Sequence, residues 1–215
     1  MSLAHMIWNM EDNVGLTSYD EELSELTSFY PTLKEEVLKA TSNITKDIWY
    51  SLTNVRSSSA NYIHGDGKYY SLPFFYYGKR RRLICKDLLP KTCKFIKDTI
   101  PRAANLKYGI VKLNVLDPKT KTVPLESLTN LKLRILMPIQ VPEGFQIILG
   151  KDTSVPLKEG QWNVIDDSFE RVFDNEKSDK AAIWLSLDIP HPDMGPQDEK
   201  SVSITNYAKS LFLYF

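Results

Sequence analysis

The chain has 215 residues, 42% of them hydrophobic and 25% charged, which suits one domain with a sizeable core. Lys+Arg and Asp+Glu number 27 each, so the net charge is zero, and this argues against a dedicated nucleic-acid binder. No run of about 18 apolar residues occurs, and the opening MSLAHMIWN lacks the basic region and long apolar stretch of a signal peptide, so no membrane span is expected.

In chain order, residues 1–30 are mixed, polar and weakly patterned. PTLKEEVLKATSN predicts a helix with Pro31 near its start and Leu33, Val37 and Leu38 on one face. NITKDIWYSLTNV reads as either helix or extended chain, and its Asn43-Ile44-Thr45 is a glycosylation sequon that weakly favours a secretory history. SSSANYIHGDGKYY, rich in Ser and Gly, reads as a loop. YYSLPFFYYGKRRRLIC is aromatic and then basic, and LLPKTCKFIKDTIPRA predicts a helix closed off before Pro101.

From there the character changes. YGIVKLNVL, NLKLRILMPIQV, FQIILG, QWNVID and AAIWLSLDI are short strands, with turn signals at Asp117-Pro118, Pro142-Glu143-Gly144 and Glu159-Gly160. Leu131, Leu133 and Ile135 alternate with Lys132, Arg134 and Leu136, a period of two. Regular short strands of this kind predict an antiparallel sandwich or barrel of jelly-roll type, with the preceding helices packed on one sheet.

The candidate sites each have a plainer alternative. His64-Gly65-Asp66 has the H-x-D form of facial iron sites, with His191 as a distal third ligand. Its place in a Ser/Gly loop makes surface residues the better reading, and the third histidine, His5, lies in the polar N-terminal stretch. The run 78–82, GKRRR, reads as a solvated face rather than a nucleic-acid or lipid contact. Adjacent Asp166 and Asp167 would point to opposite faces of a strand, so a turn that satisfies its own backbone is favoured over a catalytic pair. Cys85 and Cys93 are too few for a zinc site, and a short disulfide loop and two core thiols stand equal. Met137, Trp162 and Trp184 read as core, and the chain has no G-x-S-x-G, phosphate-cradling glycine loop or H-E-x-x-H.

Several pieces together resemble the aspartyl/asparaginyl β-hydroxylase family, and the animal-type enzymes in particular. The resemblance covers roughly residues 60–195 and is most specific at DDSFE, at Thr129 to Arg134 and at Asp188 to Pro192. It implies a mainly β double-stranded β-helix, cupin-like, with flanking helices. The division it suggests is a helical or irregular extension over 1–60, the β-helix domain over 61–195 and a tail over 196–215. It also implies chemistry: Fe(II), 2-oxoglutarate and O₂ hydroxylating Asp or Asn of epidermal-growth-factor-like domains. At the two places where the resemblance expects iron-binding histidines, this chain has Leu125 and Arg171. Where it expects a cosubstrate-binding Ser and His, the chain has Gly109 and Leu136. The cosubstrate arginine is expected around Ala182, with Lys180 on offer after a small register shift. Arg134 is kept, and His191 matches a family histidine that binds no metal. The animal-type enzymes also carry a cysteine pair near the place of Cys85 and Cys93.

Leu125 has no donor atom, and the always-protonated Arg171 has no lone pair to give a metal. The expectation is therefore a non-catalytic relative with no cofactor, a binding or scaffolding module. Its vestigial pocket would hold Gly109, Arg134, Leu136, Asp166, Arg171, Lys180 and Ala182, with Arg134 and Arg171 open to an anion or a peptide carboxylate. Arg171 paired simply with Asp166 or Asp167 is the plainer alternative. A second reading keeps Fe(II) and 2-oxoglutarate, with a rearranged ligand set of His64, Asp66, His191 or the Asp166-Asp167 pair. A third has the stretch 69–82 binding an unrelated partner through exposed Tyr70, Phe74 and Tyr76. Partners are expected to be protein or peptide rather than nucleic acid, and the resemblance leans toward the endoplasmic reticulum lumen.

Overall fold

The computed structural model describes residues 7–8, 19–42, 50–51, 63–127 and 129–192. His5, the Asn43 sequon, and the tail 196–215 lie outside the described residues.

Two antiparallel sheets face each other. The larger has β1 (Ile7–Trp8), β2 (Tyr50–Ser51), β4 (Tyr69–Tyr76), β5 (Lys79–Arg80), β6 (Ile110–Leu116), β8 (Lys132–Gln140), β11 (Asn163–Ile165) and β13 (Ala182–Pro190). Its order is β1-β11-β8-β13-β6-β4-β2, with β5 on β4. The smaller has β3 (Ile63–Gly65), β7 (Thr120–Thr122), β9 (Gln146–Leu149), β10 (Thr153–Ser154) and β12 (Arg171–Asp174), in the order β10-β9-β12-β7-β3. This is the double-stranded β-helix that the strand pattern and the resemblance implied.

Period-two alternation divides each long strand between two cores. One phase of β6, β8 and β13 (Val111, Leu113, Val115; Leu133, Ile135, Met137, Ile139; Ile183, Leu185, Leu187, Ile189) points away from the smaller sheet. Helices α1 (Asp20–Ser42) and α2 (Pro90–Thr99) and the single turn α3 (Pro101–Ala104) cover that face. The other phase, with Leu116, Leu136, Ala182 and Trp184, meets Phe145, Ile147, Leu149 and Phe173 of the smaller sheet's side inside the barrel. Met137, Trp162 and Trp184 are all core.

Helix α1 corrects the sequence reading, which began it at Pro31. Its first turn is acidic, Asp20 to Glu22, which favours the N-terminal dipole, and Pro31 lies inside. Leu23, Leu26, Leu33, Val37 and Ala40 are buried along one face on both sides of the proline, so packing outweighs the lost hydrogen bond. Glu36 of α1 then accepts hydrogen bonds from the backbone N–H of Lys91 (2.9 Å) and Thr92 (2.7 Å), which caps α2. Arg102 closes the same face, reaching both oxygens of Glu22 at 3.1 and 2.9 Å and stacking on Tyr19 at 3.8 Å. Cys85, in the wide helical turn Ile84–Leu88, is disulfide-bonded to Cys93 of α2. No described helix is long and apolar enough to cross a membrane.

Candidate functional site

The interior of the barrel changes character along its length. Antiparallel register places Asn114 opposite Trp184, Lys112 opposite Ser186, Leu136 opposite Ser186, and Arg134 opposite Asp188. The inward phase therefore runs from Leu116, Ala182 and Trp184, through Asn114 and Ser186, to Lys112, Lys132, Arg134 and Asp188.

At the apolar end Trp184 stacks with Phe173 at 4.8 Å, Phe145 at 5.6 Å and Tyr69 at 5.7 Å. A polar band follows. Tyr69 Oη donates to Asn114 Oδ1 at 2.8 Å, and Asn114 Nδ2 donates to Ser186 Oγ at 2.9 Å. Burial holds the Tyr69 phenol well above its ordinary range, against the opposing pull of the Arg134 and Arg171 charges.

At the charged end Asp188 is fully buried and gathers three donors. Arg134 Nε reaches Oδ1 at 2.8 Å, the Ile110 N–H reaches Oδ2 at 3.1 Å, and Lys132 Nζ binds Oδ2. Burial alone would raise its carboxyl. The Arg134 and Lys132 charges and their hydrogen bonds outweigh that and hold it far below the usual carboxylate range. Asp188 is thus ionised throughout the ordinary pH range, and its contribution to stability is lost progressively as the pH falls below the usual carboxylate range. Arg134 Nη2 also lies 2.9 Å from the fully buried Asp167 Oδ2, with Lys132 Nζ at 3.6 Å. Gly109 is needed beneath this cluster. A Cβ there would stand 2.4 Å from Leu106 Cδ2 and 3.0 Å from Asp188 Cβ.

Leu125 and Arg171 face each other across an antiparallel bridge, each N–H donating to the other's carbonyl at 2.8 Å. Two residues 46 apart in sequence are thereby neighbours. Leu125 packs on the apolar cluster of the interior. Arg171, 2% exposed, donates through Nη1 to the Asp167 carbonyl at 2.8 Å and toward the Leu125 carbonyl at 3.5 Å. Its Nε, like Trp184 Nε1, is buried with no hydrogen-bond partner. These side chains do not fit a ferrous ion. One offers only methyl groups, and the other is a guanidinium already engaged with two carbonyls.

Several sequence expectations are corrected by this arrangement. Arg171 binds the backbone carbonyl of Asp167, not a carboxylate of Asp166 or Asp167. Asp166 does not belong to the interior. Its Oδ1 accepts the Ser168 N–H at 3.0 Å and Oγ at 2.6 Å, the turn role, and Asp167 alone points inward. Lys180 is exposed before β13 begins, whereas Ala182 is fully buried in the interior core with Leu136. His64 is in a strand rather than a loop, exposed on β3 of the smaller sheet opposite Lys121. His191 directly follows β13 of the larger sheet, its N–H donating to the Leu131 carbonyl. Among the described residues no three His, Cys, Asp or Glu gather as a metal site, so His64, Asp66 and His191 do not converge. Phe74 is fully buried and Tyr70 and Tyr76 partly so, which removes the exposed aromatic face expected of 69–82.

Lys112, Lys132 and Asp188 were not named as site residues from sequence, although Lys132 and Asp188 lie in motifs that carry the resemblance. Their signal was available: each is a charged residue set among mostly apolar ones in a long strand, as in GIVKLNV and WLSLDIP.

The fold is a double-stranded β-helix with an apolar and a charged end to its interior. Among solved structures, a prolyl hydroxylase from Trichoplax adhaerens, in complex with a hypoxia inducible factor oxygen degradation domain peptide fragment, matches with TM-score 0.50. It is 12% identical, and the match covers 80% of this chain and 82% of that one, which speaks for the fold. The sequence model described as Aspartyl/Asparaginyl beta-hydroxylase matches residues 27–192, and the chain belongs to that family. The Aspartyl/asparaginyl beta-hydroxylase of Homo sapiens is 30% identical over 126 residues, and that of Mus musculus 29%. Each alignment covers 58% of this chain and 16% of the relative, so the chain matches only a small part of the curated relatives' length.

Proposed function

We propose that this chain is a non-catalytic member of its family, a retained β-helix that acts as a binding or scaffolding module and needs neither Fe(II) nor 2-oxoglutarate. The observation that carries this reading is the Leu125–Arg171 bridge. The two positions where the resemblance expects iron ligands are adjacent in space, yet they carry a hydrocarbon and a bound guanidinium. A guanidinium about 4 Å from a second cation is opposed by roughly 4 kcal/mol at an effective dielectric near 20, and more for a divalent ion. Leu136 and Ala182, at positions the resemblance gives to the cosubstrate, support the same reading because both are fully buried in the apolar core. The Cys85–Cys93 disulfide supports an oxidising, secretory-pathway setting.

The test is a calorimetric titration of the purified chain with Mn(II), with and without 2-oxoglutarate, beside a hydroxylation assay on epidermal-growth-factor-like peptides. The expected result is no one-to-one metal uptake and no product from a well-folded protein. Stoichiometric uptake that 2-oxoglutarate strengthens would overturn the proposal.

A further inference from the structure

The segment 79–86 carries five cations and no carboxylate, in a chain whose net charge is zero. Arg81 turns back on the barrel, its Nη1 donating to the Pro73 carbonyl at 3.3 Å. Lys79, Arg80, Arg82 and Lys86 stay exposed, and so does Leu83. Among the described residues Leu83 is the only large apolar side chain left mainly in water, at 75% exposure. It leads into the wide helical turn Ile84–Leu88, whose buried side is Ile84 and Cys85, so Lys86, three residues on, flanks it on the outer side. The segment is tied down at both ends. Lys79 and Arg80 pair with Tyr76 and Phe75, and the Cys85–Cys93 disulfide joins the turn to α2. Lys107, also exposed, comes alongside, its Cγ 3.8 Å from where a Cβ of Gly78 would stand. Lys79, Arg80, Arg82, Lys86 and Lys107 make no ion pair among the described residues. To the solvated face read from 78–82 in sequence, the structure adds an apolar side chain held among the charges.

We propose that this basic rim, with Leu83 among its charges, docks the protein on an anionic phospholipid surface. The cations meet the headgroups and Leu83 enters the boundary with the acyl chains. Unpaired positive charge sets the sign of the partner, and composition sets its kind. Protein interfaces are depleted of lysine and have uncharged, apolar centres, whereas a single leucine ringed by cations offers no apolar patch. A lipid surface asks for no matching pocket. Each cation gains from the negative surface potential, one apolar side chain enters the interface by itself, and the long Lys and Arg stems lie along the boundary. Half-buried Tyr76 and Tyr77, in edge contact at 4.2 Å just before the turn, suit the headgroup level. Because the rest of the chain offsets this charge, the attraction is local and presents one face to the surface. The contact is peripheral and reversible, since one inserted side chain is a weak anchor. The inference does not rest on the loss of oxygenase activity. The titration above reads metal uptake in the interior, and the following experiment reads the outer surface.

The full chain is sedimented with vesicles of mixed phosphatidylcholine and phosphatidylserine, and with vesicles of phosphatidylcholine alone. Binding to the mixed vesicles is expected, with little to the neutral ones, and it should fade as salt shortens the screening length toward about 3 Å at roughly 1 M. Arg80→Ser with Arg82→Ser should weaken partition about twenty-fivefold, about fivefold for each cation removed. Leu83→Ser leaves the charge unchanged and should weaken it about tenfold. The three side chains are exposed, so circular dichroism should show both variants folded like the parent. No binding to the mixed vesicles, equal binding to both kinds, or a Leu83→Ser variant that binds as well as the parent would overturn the proposal. So would capture by soluble polyglutamate without capture by vesicles, which would assign the face to an acidic protein segment. The comparison of the two vesicle kinds uses the unaltered chain and so stands even where a variant fails to fold.

Discussion

Trp184 and Asp188 lie four residues apart on β13, about 13 Å along one strand, and both point into the barrel. Around Trp184 the interior is a stack of aromatic rings and aliphatic side chains that fill space without direction. Around Asp188 it is a set of charges, with Lys132, Arg134 and Asp188 aligned on one another and almost wholly removed from water. The first arrangement draws its stability from area removed from water. In the second, the desolvation of each ion opposes the attraction between them, so a buried cluster of this kind is weak grounds for stability. A chain that needed only a stable barrel could have continued the aromatic stack to the end. Retention of the charged end points to a use for it.

Breaking the charged end one ion at a time should give the largest effect. Asp188→Ala strands Lys132, Arg134 and the Ile110 N–H, and should lower stability by about 5 kcal/mol in urea denaturation. Converting the whole cluster should do the opposite. Lys132→Met, Arg134→Leu, Asp167→Leu and Asp188→Leu together should leave stability unchanged or raise it by about 1–4 kcal/mol. A large loss from the combined variant would mean the ions are there for stability after all. At the apolar end, Trp184→Ala should cost about 3–5 kcal/mol through the cavity it leaves, with no dependence on salt.

Part of this contrast was legible in sequence. The strands were readable because β6, β8 and β13 are long and rich in branched residues. The alternation in NLKLRILMPIQV was correctly periodic, but a period of two does not say how wet either face is. In the fold both faces are dry, and Lys132 and Arg134 are 5% and 3% exposed. The short strands β3, β7 and β12, of three or four residues, carry too little pattern to be seen, and register alone sets the Leu125–Arg171 bridge. Arg134 and Arg171 were legible as site residues through the family resemblance. Lys112 and Asp188 were not, because their meaning depends on which strands are neighbours.

Two further effects sharpen the comparison. Cys85→Ala with Cys93→Ala should lower stability by about 2–3 kcal/mol on the chain-entropy account of a short loop, and should leave the interior unaffected. The other effect is the pH dependence from Lys112. Its folded value of about 7 lies below the ordinary 10.5, so between these limits the unfolded chain binds the extra proton and stability rises with pH. Lys112→Met should flatten that rise in denaturation series from neutral to alkaline pH.

The helix α1 carries a consequence for how the molecule comes into being. Tyr19 donates to the carbonyl of Pro190, 171 residues away, and Tyr30 reaches the carbonyl of Ile139 across 109. Lys34 meets Glu159 across 125. The helix emerges early from the ribosome, but the surface that receives its buried leucines is complete only once β13 exists. Until then Leu23, Leu26 and Leu33 have nowhere to go. Synthesis of this chain should therefore pass through a long interval in which a preformed amphipathic helix waits for its partner sheet, and closure of that longest loop should set the pace of folding.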